Sequence, residues 1–348
     1  MSDPTSTPAV SAGNLVRDVL GEQAFMAVDC GSANGVQQHW LPLVQDAHFM
    51  LFEPHPESYA ALKDWVASQA QPQNWRLLNV GLSESGGRQI LYAHNAPTGS
   101  SLLPPDLAGG AIVPGDPNIF PVRQIPVETQ SLAAACDQHQ VARVDLFKID
   151  AQGAELSIIR GLGEQRLATL LALETEVICR PMYVGQSTLS AVHDFMTQHG
   201  LELFDLRPWP VRWIAGGTNV RAQAAELGVY DHSASVSHQL HEVDVLYFRS
   251  ARRVLDSGDA DTARRLLVCY CTYGFFGQAL WFLGEARERG LFEGAQADAL
   301  GTAIRDWHDG LHRAVWQGRG SFWNFVRRVY ARLRRMLTPA TWSNYGTG

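Results

Sequence analysis

The reading of the fold turns on Phe25-Met26-Ala27-Val28-Asp29, followed at once by Cys30-Gly31-Ser32-Ala33-Asn34-Gly35. A short, nearly continuous apolar run suits a strand buried on both faces of a parallel sheet. The glycine turn behind it lets a ligand approach the backbone closely, and the start of a following helix offers free amides. The turn is not a phosphate-binding P-loop, because no Gly-Lys-Ser/Thr follows it. Nor is it the dinucleotide fingerprint, since three residues separate Gly31 from Gly35.

An acid directly ahead of the turn repels a pyrophosphate but pairs with an ammonium group. Glu53 ends a second apolar run, Phe49–Glu53, 22 residues after Gly31. At that place in a doubly wound sheet an acid typically bonds ribose hydroxyls. Asp29 and Glu53 together specify a ligand with a ribose and a positively charged amine, which S-adenosylmethionine fits better than a dinucleotide. Each piece alone has an ordinary reading: a glycine turn is often only a turn, and an acid ending a strand is often a cap for the next helix.

Further strands are expected at Trp75–Val80, Val144–Asp150, Leu170–Glu174, Leu201–Leu206 and Val243–Phe248. Helical periods lie between them at Pro56–Ser68, Ala154–Leu162 and Thr188–His199, the last closed by Gly200. Alternating strands and helices predict an open, mostly parallel α/β sheet. Two segments interrupt the rhythm. Residues 95–126 are rich in proline and glycine and read as a long loop, while 207–242 connect the last two strands and carry Trp209 and Trp213. Both segments are expected to shape the mouth of the sheet, where either tryptophan could stack on a sugar face or pack in the core.

After residue 250 the strand pattern stops. Residues 259–290 read as a helical hairpin resembling one tetratricopeptide-type unit, but without a second copy it is expected to pack on the main domain. The chain is thus divided into a flexible segment at 1–22, a catalytic α/β domain at 23–249 and a helical C-terminal region at 250–348.

Composition narrows the class. With 348 residues, 46% hydrophobic and 18% charged, the chain has ample core for a globular fold. No apolar run approaches the roughly 20 residues a membrane-spanning helix needs, and the first residues lack the charged and apolar regions of a signal peptide. Five cysteines, with Cys269 and Cys271 as a lone pair, suit a reducing compartment better than a disulfide framework or a zinc site. The expected location is cytoplasmic.

Six of the 28 basic residues and no acid lie beyond residue 318. Residues 1–318 therefore hold 22 basic against 35 acidic side chains, a balance that argues against a nucleic-acid partner. In the tail, Phe322, Phe325, Val326, Val329, Leu333 and Met336 share one side of a helical wheel, opposite Arg327, Arg328, Arg334 and Arg335. That basic amphipathic helix, about 321–337, is expected either to dock on the acidic body or to lie at an anionic membrane surface. The second reading places the protein peripherally at the inner face of the membrane.

The chain resembles the FkbM-type methyltransferases over roughly residues 24–249. The residues that carry the resemblance are Asp29–Gly35, Phe52-Glu53-Pro54, Asn79-Val80-Gly81-Leu82-Ser83, Leu146–Glu155 and His241–Leu246. The resemblance implies a class I methyltransferase fold, Rossmann-like, with a seven-stranded, mostly parallel sheet whose last strand is antiparallel. It implies S-adenosylmethionine as methyl donor and O-methylation, commonly of sugar hydroxyls in glycans or natural products.

Carried over by position, Asp29 and Gly31, with Ser32, Asn34 and Gly35 in the same turn, would hold the methionine part of the donor. Glu53 would take the ribose hydroxyls, with Pro54 shaping its turn, and Asn79 and Gly81 would lie beside the adenine. Lys148 and Asp150 would end the fourth strand next to the departing methyl group. A general base is wanted for a sugar hydroxyl, and Asp150, Glu174 and His241 are the candidates, with Lys148 orienting Asp150 or pairing with it.

Two departures stand out. Ala33 occupies the place where the family usually has Asn, with Asn34 one position later. Gln152 stands where the family often has Glu, and it can neither lend charge to a metal nor act as a base. A divalent metal therefore stays open, with Asp150, Glu174 and Glu176 as its oxygen ligands. Two other readings compete: a non-catalytic scaffold built on a vestigial methyltransferase domain, and a nicotinamide-dependent oxidoreductase on the same sheet.

Overall fold

The computed structural model describes residues 15–317, apart from 22, 34, 70, 109–111, 113–118, 181 and 213–237. The first expected strand forms as β1 (Met26–Cys30) and the second as β2 (His48–Phe52), followed by α1 (Pro56–Ala67). β3 (Trp75–Leu78), β4 (Gly81–Leu82), β5 (Gly87–Ala93) and β6 (Arg123–Gln130) come next, then α2 (Leu132–Gln138) and β7 (Leu146–Ile149). Two short helices, α3 (Glu155–Arg160) and α4 (Glu164–Thr169), lead to β8 (Ala172–Ile178), α5 (Leu189–Gln198), β9 (Leu201–Arg212) and β10 (His238–Arg249).

The seven-stranded sheet has the order β3-β2-β1-β7-β8-β10-β9. β1 pairs in parallel with β2 and β7, and β2–β3 and β7–β8 are parallel too, whereas β10 runs antiparallel to β8. This is the expected class I methyltransferase arrangement, its last strand in chain order reversed. The order of strands changes direction at β1 and β7, and ligands of open α/β sheets bind at the carboxyl ends beside such a switch point.

Side chains alternate between the two faces of a strand. Val28, Phe147, Leu173 and Val245 share one face and enter a continuous apolar core with Leu132, Ile158, Val192 and Met196 from the helices. Their neighbours Asp29, Lys148 and Glu174 share the other face, and the register sets them side by side across β1, β7 and β8. Three ionisable residues in one row of a buried sheet mark that face as functional.

Three expectations change. Residues 15–20 within the supposedly flexible start form a helical turn with Val16, Val19 and Leu20 buried, because those positions fall on one helical face. The long loop expected at 95–126 ends earlier, since 123–126 belong to β6. β6 pairs with β5 and the two-residue β4 in a separate three-stranded sheet. Pro126 fits there because β4 reaches only Thr129 and Gln130, so no neighbour on that side needs its missing N–H. The connection 207–242 is shorter than read, with its ends built into β9 and β10.

Beyond residue 250 the helices pack on the main domain, as expected. The expected hairpin forms as α7 (Ala260–Thr272) and α8 (Phe276–Glu288), preceded by α6 (Ala251–Ser257) and followed by α9 (Gly294–Gln317). Through Trp307 these helices belong to the same compact unit as the sheet. Arg265 of α7 explains the attachment. It bonds Asp145 Oδ2 at 3.0 Å and the Ala24 carbonyl at 2.7 Å, both at the start of sheet strands. The basic helix expected at 321–337 lies outside the described residues. Among those described, no helix is long and apolar enough to cross a membrane.

Candidate active site

Three backbone hydrogen bonds carry the parallel ladders one residue beyond the strands. Gly31 N–H donates to the Phe52 carbonyl (3.1 Å), Glu53 N–H to Leu78 (3.1 Å) and Asp150 N–H to Cys30 (3.0 Å). They bring the turn after Asp29, Glu53 and Asp150 onto one carboxyl edge, although the three are far apart in the chain. Asn79 braces that edge, its Nδ2 donating to the Glu53 carbonyl at 2.8 Å and the Pro54 carbonyl at 3.4 Å. Ser32 Oγ donates back to the Asp29 carbonyl at 3.0 Å and closes the turn.

Between these ends lies a cleft open to solvent, lined by Gly31, Glu53, Pro54, Gly81, Lys148 and Asp150. Pro97, Thr98, Ser100 and Leu102 form its other wall. Most of the expected donor residues therefore meet in one place. Asp29 lies buried behind Lys148 rather than in the lining, Asn79 supports the cleft from behind the turn, Asn34 falls outside the described residues, and Ser32 is buried in the turn itself.

The cleft is strongly polarised. Asp29 is fully buried, and neither carboxylate oxygen has a hydrogen-bond partner. Lys148 Nζ stands 3.5 Å from Asp29 Oδ1 and 3.8 Å from Asp150 Oδ2. Burial pushes Asp29 up to about 6 despite the nearby Lys148 ammonium, with Asp150 and Glu174 adding to the rise. Burial alone would lower Lys148, but the surrounding Asp29, Asp150 and Glu174 hold it above its ordinary value, so it stays charged. Glu53 is raised to about 7 by burial, although its Oε1 accepts the His55 N–H at 2.8 Å.

Glu174 sits differently from its expected role as a base. Its Oε2 meets His39 Nε2 at 3.0 Å and accepts the Tyr273 hydroxyl at 2.9 Å. Burial would raise it, yet His39, Tyr273 and Lys148 pull it below the usual carboxylate range. Through these contacts Glu174 ties the sheet to the segment after the glycine turn and to Tyr273, which follows α7. His241 lies on β10, and its side chain is outside the description, as are Trp213 and the side chain of Trp209.

Asp150 and Glu176, two of the expected metal ligands, are joined by Gln152. Gln152 Nε2 donates to Asp150 Oδ1 at 3.0 Å and to Glu176 Oε1 at 2.7 Å. Burial raises Glu176 to about 9, with Asp150, Glu242 and Asp244 adding to the shift. Among the described residues no group of three or more His, Cys, Asp or Glu is arranged to hold a metal ion.

Sequence reasoning overlooked His39, Tyr273 and Tyr183. His39 and Tyr273 meet Glu174 from 135 and 99 residues away, and no local pattern announces such a contact. Tyr183 OH donates to the Gly99 carbonyl at 2.8 Å and so anchors the wall of the cleft.

Residues 29–203 match the family described as the methyltransferase FkbM domain. The 2-O-methyltransferase NoeI of Sinorhizobium fredii is 28% identical over 198 residues, covering 55% of this chain and 78% of NoeI. Methyltransferase sdnD of Sordaria araneosa is 27% identical over 136 residues, 34% of this chain and about half (52%) of that protein. Among solved structures, methyltransferase FkbM from Methylobacillus flagellatus is similar at 13% identity and a TM-score of 0.35, covering 65% of this chain and 43% of that one. The matched span runs from Asp29 through the whole edge that carries Glu53, Lys148 and Asp150, and the chain belongs to the FkbM methyltransferase family.

Proposed function

We propose that this methyltransferase takes its methyl group from S-adenosylmethionine and places it on oxygen, a hydroxyl of a sugar in a glycan or a glycosylated metabolite. The observation that carries the donor reading is Asp29. Its carboxylate is fully buried, with the Lys148 ammonium 3.5 Å from Oδ1 and no hydrogen bond on either oxygen, which leaves both oxygens able to accept from a polar ligand. A cationic ammonium group is such a ligand. The name of NoeI, a 2-O-methyltransferase, supports oxygen as the target atom, and the sugar rests on the resemblance to the family.

The residues fit the donor in outline. Asp29 and the Gly31 turn would hold its methionine end, and Glu53, one oxygen fixed by His55 N–H, would take the ribose hydroxyls. The Asn79-braced turn at 53–54 and Gly81 would lie against the base. When bound, the donor supplies a methyl group activated on a positively charged sulfur. The chain's own part is positioning, which for a displacement at carbon is the larger share of the work. Lys148 holds Asp150 at the cleft rim, and Asp150 is the carboxylate able to accept the proton of an incoming hydroxyl. Pro97, Thr98 and Leu102 line the facing side of the cleft. Cytoplasmic location accompanies this reading as a proposal, with the basic tail either docked on the acidic body or held at a membrane surface.

Calorimetric titration with S-adenosylmethionine and S-adenosylhomocysteine tests it. Binding on the order of micromolar is expected, weakened at least about tenfold by Asp29→Ala and by Glu53→Ala. Absence of binding to the folded protein up to about 1 mM ligand would overturn the reading and favour the non-catalytic scaffold.

A further inference from the structure

Asp150 is held on both sides. Its Oδ2 faces the Lys148 ammonium at 3.8 Å, and its Oδ1 accepts the Gln152 amide at 3.0 Å. The same amide nitrogen donates its second hydrogen to Glu176 Oε1 at 2.7 Å. Two carboxylates on adjacent strands thus share one neutral nitrogen, with both its hydrogens spent. The two carboxylate acceptors set the orientation of the amide, because its oxygen turned toward them would repel both, and the Tyr183 hydroxyl, which donates to the Gly99 carbonyl at 2.8 Å, lies 3.4 Å from Gln152 Oε1.

The backbone serves the same end. Gln152 has φ 51°, in the left-handed region that a side chain other than Gly, Asn or Asp seldom occupies. Its carbonyl accepts the Ser101 hydroxyl at 2.8 Å, and Gly153 beside it carries a positive φ of 103°. A residue held in such a conformation by contacts from two separate segments is over-determined by its surroundings. The amide, not the backbone, profits from the placement.

We propose that Gln152 is a positioning residue for Asp150: its amide fixes Asp150 against Glu176 at the rim of the cleft and occupies the space in which a divalent cation would otherwise bridge the two carboxylates. A hard cation binds oxygen at about 2.0–2.6 Å and needs several oxygen ligands turned toward it. The amide nitrogen stands in that position and presents hydrogens where a ligand oxygen is required. Asp150 keeps its orientation through a neutral group, so its alignment does not depend on a metal being loaded. The inference concerns Asp150 and stands whether or not S-adenosylmethionine is the donor.

Electron paramagnetic resonance of Mn²⁺ titrated into the full chain tests this without any acceptor or donor. The unmodified protein is expected to leave the free Mn²⁺ signal intact up to about 1 mM metal, above the range of weak oxygen-ligand sites. Gln152→Glu is close in volume and replaces the donor with a third carboxylate. It is expected to bind one Mn²⁺ at least about tenfold more tightly than the parent, and adding Glu176→Gln to it should abolish the gain. Gln152→Ala, which only vacates the space, should show a smaller gain in the same direction and decides the matter if Gln152→Glu does not fold. Equal Mn²⁺ binding by the parent and the variants overturns the proposal, and so does a gain that Glu176→Gln leaves untouched.

Discussion

Gly31 lies so close beneath Asp150 that a Cβ at position 31 would land 2.0 Å from the Asp150 carbonyl oxygen. The two residues close the ends of neighbouring strands, and both line the cleft. Gly31 also has φ +84°, a conformation that penalises any side chain.

Gly31→Ala is therefore expected to destabilise the fold by about 2–5 kcal/mol, combining overpacking with left-handed strain. Because the obstacle is backbone, no rotamer change relieves it, and the β1 and β7 ends must separate. Thermal unfolding measures the loss, and titration with S-adenosylhomocysteine measures the damage to the cleft. An alanine variant as stable as the parent would contradict the packing described.

A pH dependence follows from Asp29 and Glu53, raised to about 6 and about 7 from ordinary values near 4. The folded, ligand-free protein prefers their protonated forms, so their contribution to stability is complete below about pH 4 and is lost as pH rises through 6 and 7. A cationic donor prefers the ionised forms, so its affinity runs the other way. Donor affinity should weaken at least about tenfold between pH 7.5 and pH 5, with protons released on binding in that window. Calorimetry in two buffers of different ionisation enthalpy reads the proton count, and Asp29→Asn should reduce it.

Arg265 is expected to be the residue on which the junction between the helices and the sheet depends. Asp145 is fully buried and meets Arg265 at 3.0 Å, Arg143 at 2.8 Å and the Met26 N–H at 2.9 Å. Burial raises Asp145, and the two guanidinium groups oppose that rise. Arg265→Ala leaves a buried charge short of a partner and should cost about 3–5 kcal/mol. The double variant with Asp145→Asn should recover part of it, whereas purely independent losses would add. Denaturant unfolding of the four proteins closes that cycle.

The central strands were legible because each is short, apolar and bounded by a turn, and the buried parallel strands of this fold need that pattern. Asp29, Glu53 and Asp150 were legible for a related reason: each directly follows or ends such a run, so its place on the carboxyl edge follows from the strand before it. The small sheet of β5 and β6 was not. Its strands are largely exposed on one side and contain a proline, so their apolar signal is weak.

The amino-acid sequence by itself determined the order of strands and helices, the glycine turn, the acids at the strand ends and the absence of charge at Gln152, because each is a property of a few adjacent residues. Only the tertiary structure decided what those acids touch. It placed Lys148 between Asp29 and Glu174 by strand register, turned Glu174 toward His39 and Tyr273, joined Asp150 to Glu176 through Gln152, and made the helices after residue 250 part of the sheet's own unit. Those partners come from segments tens to hundreds of residues apart, and such contacts are selected by the packing of the whole chain rather than by local propensity.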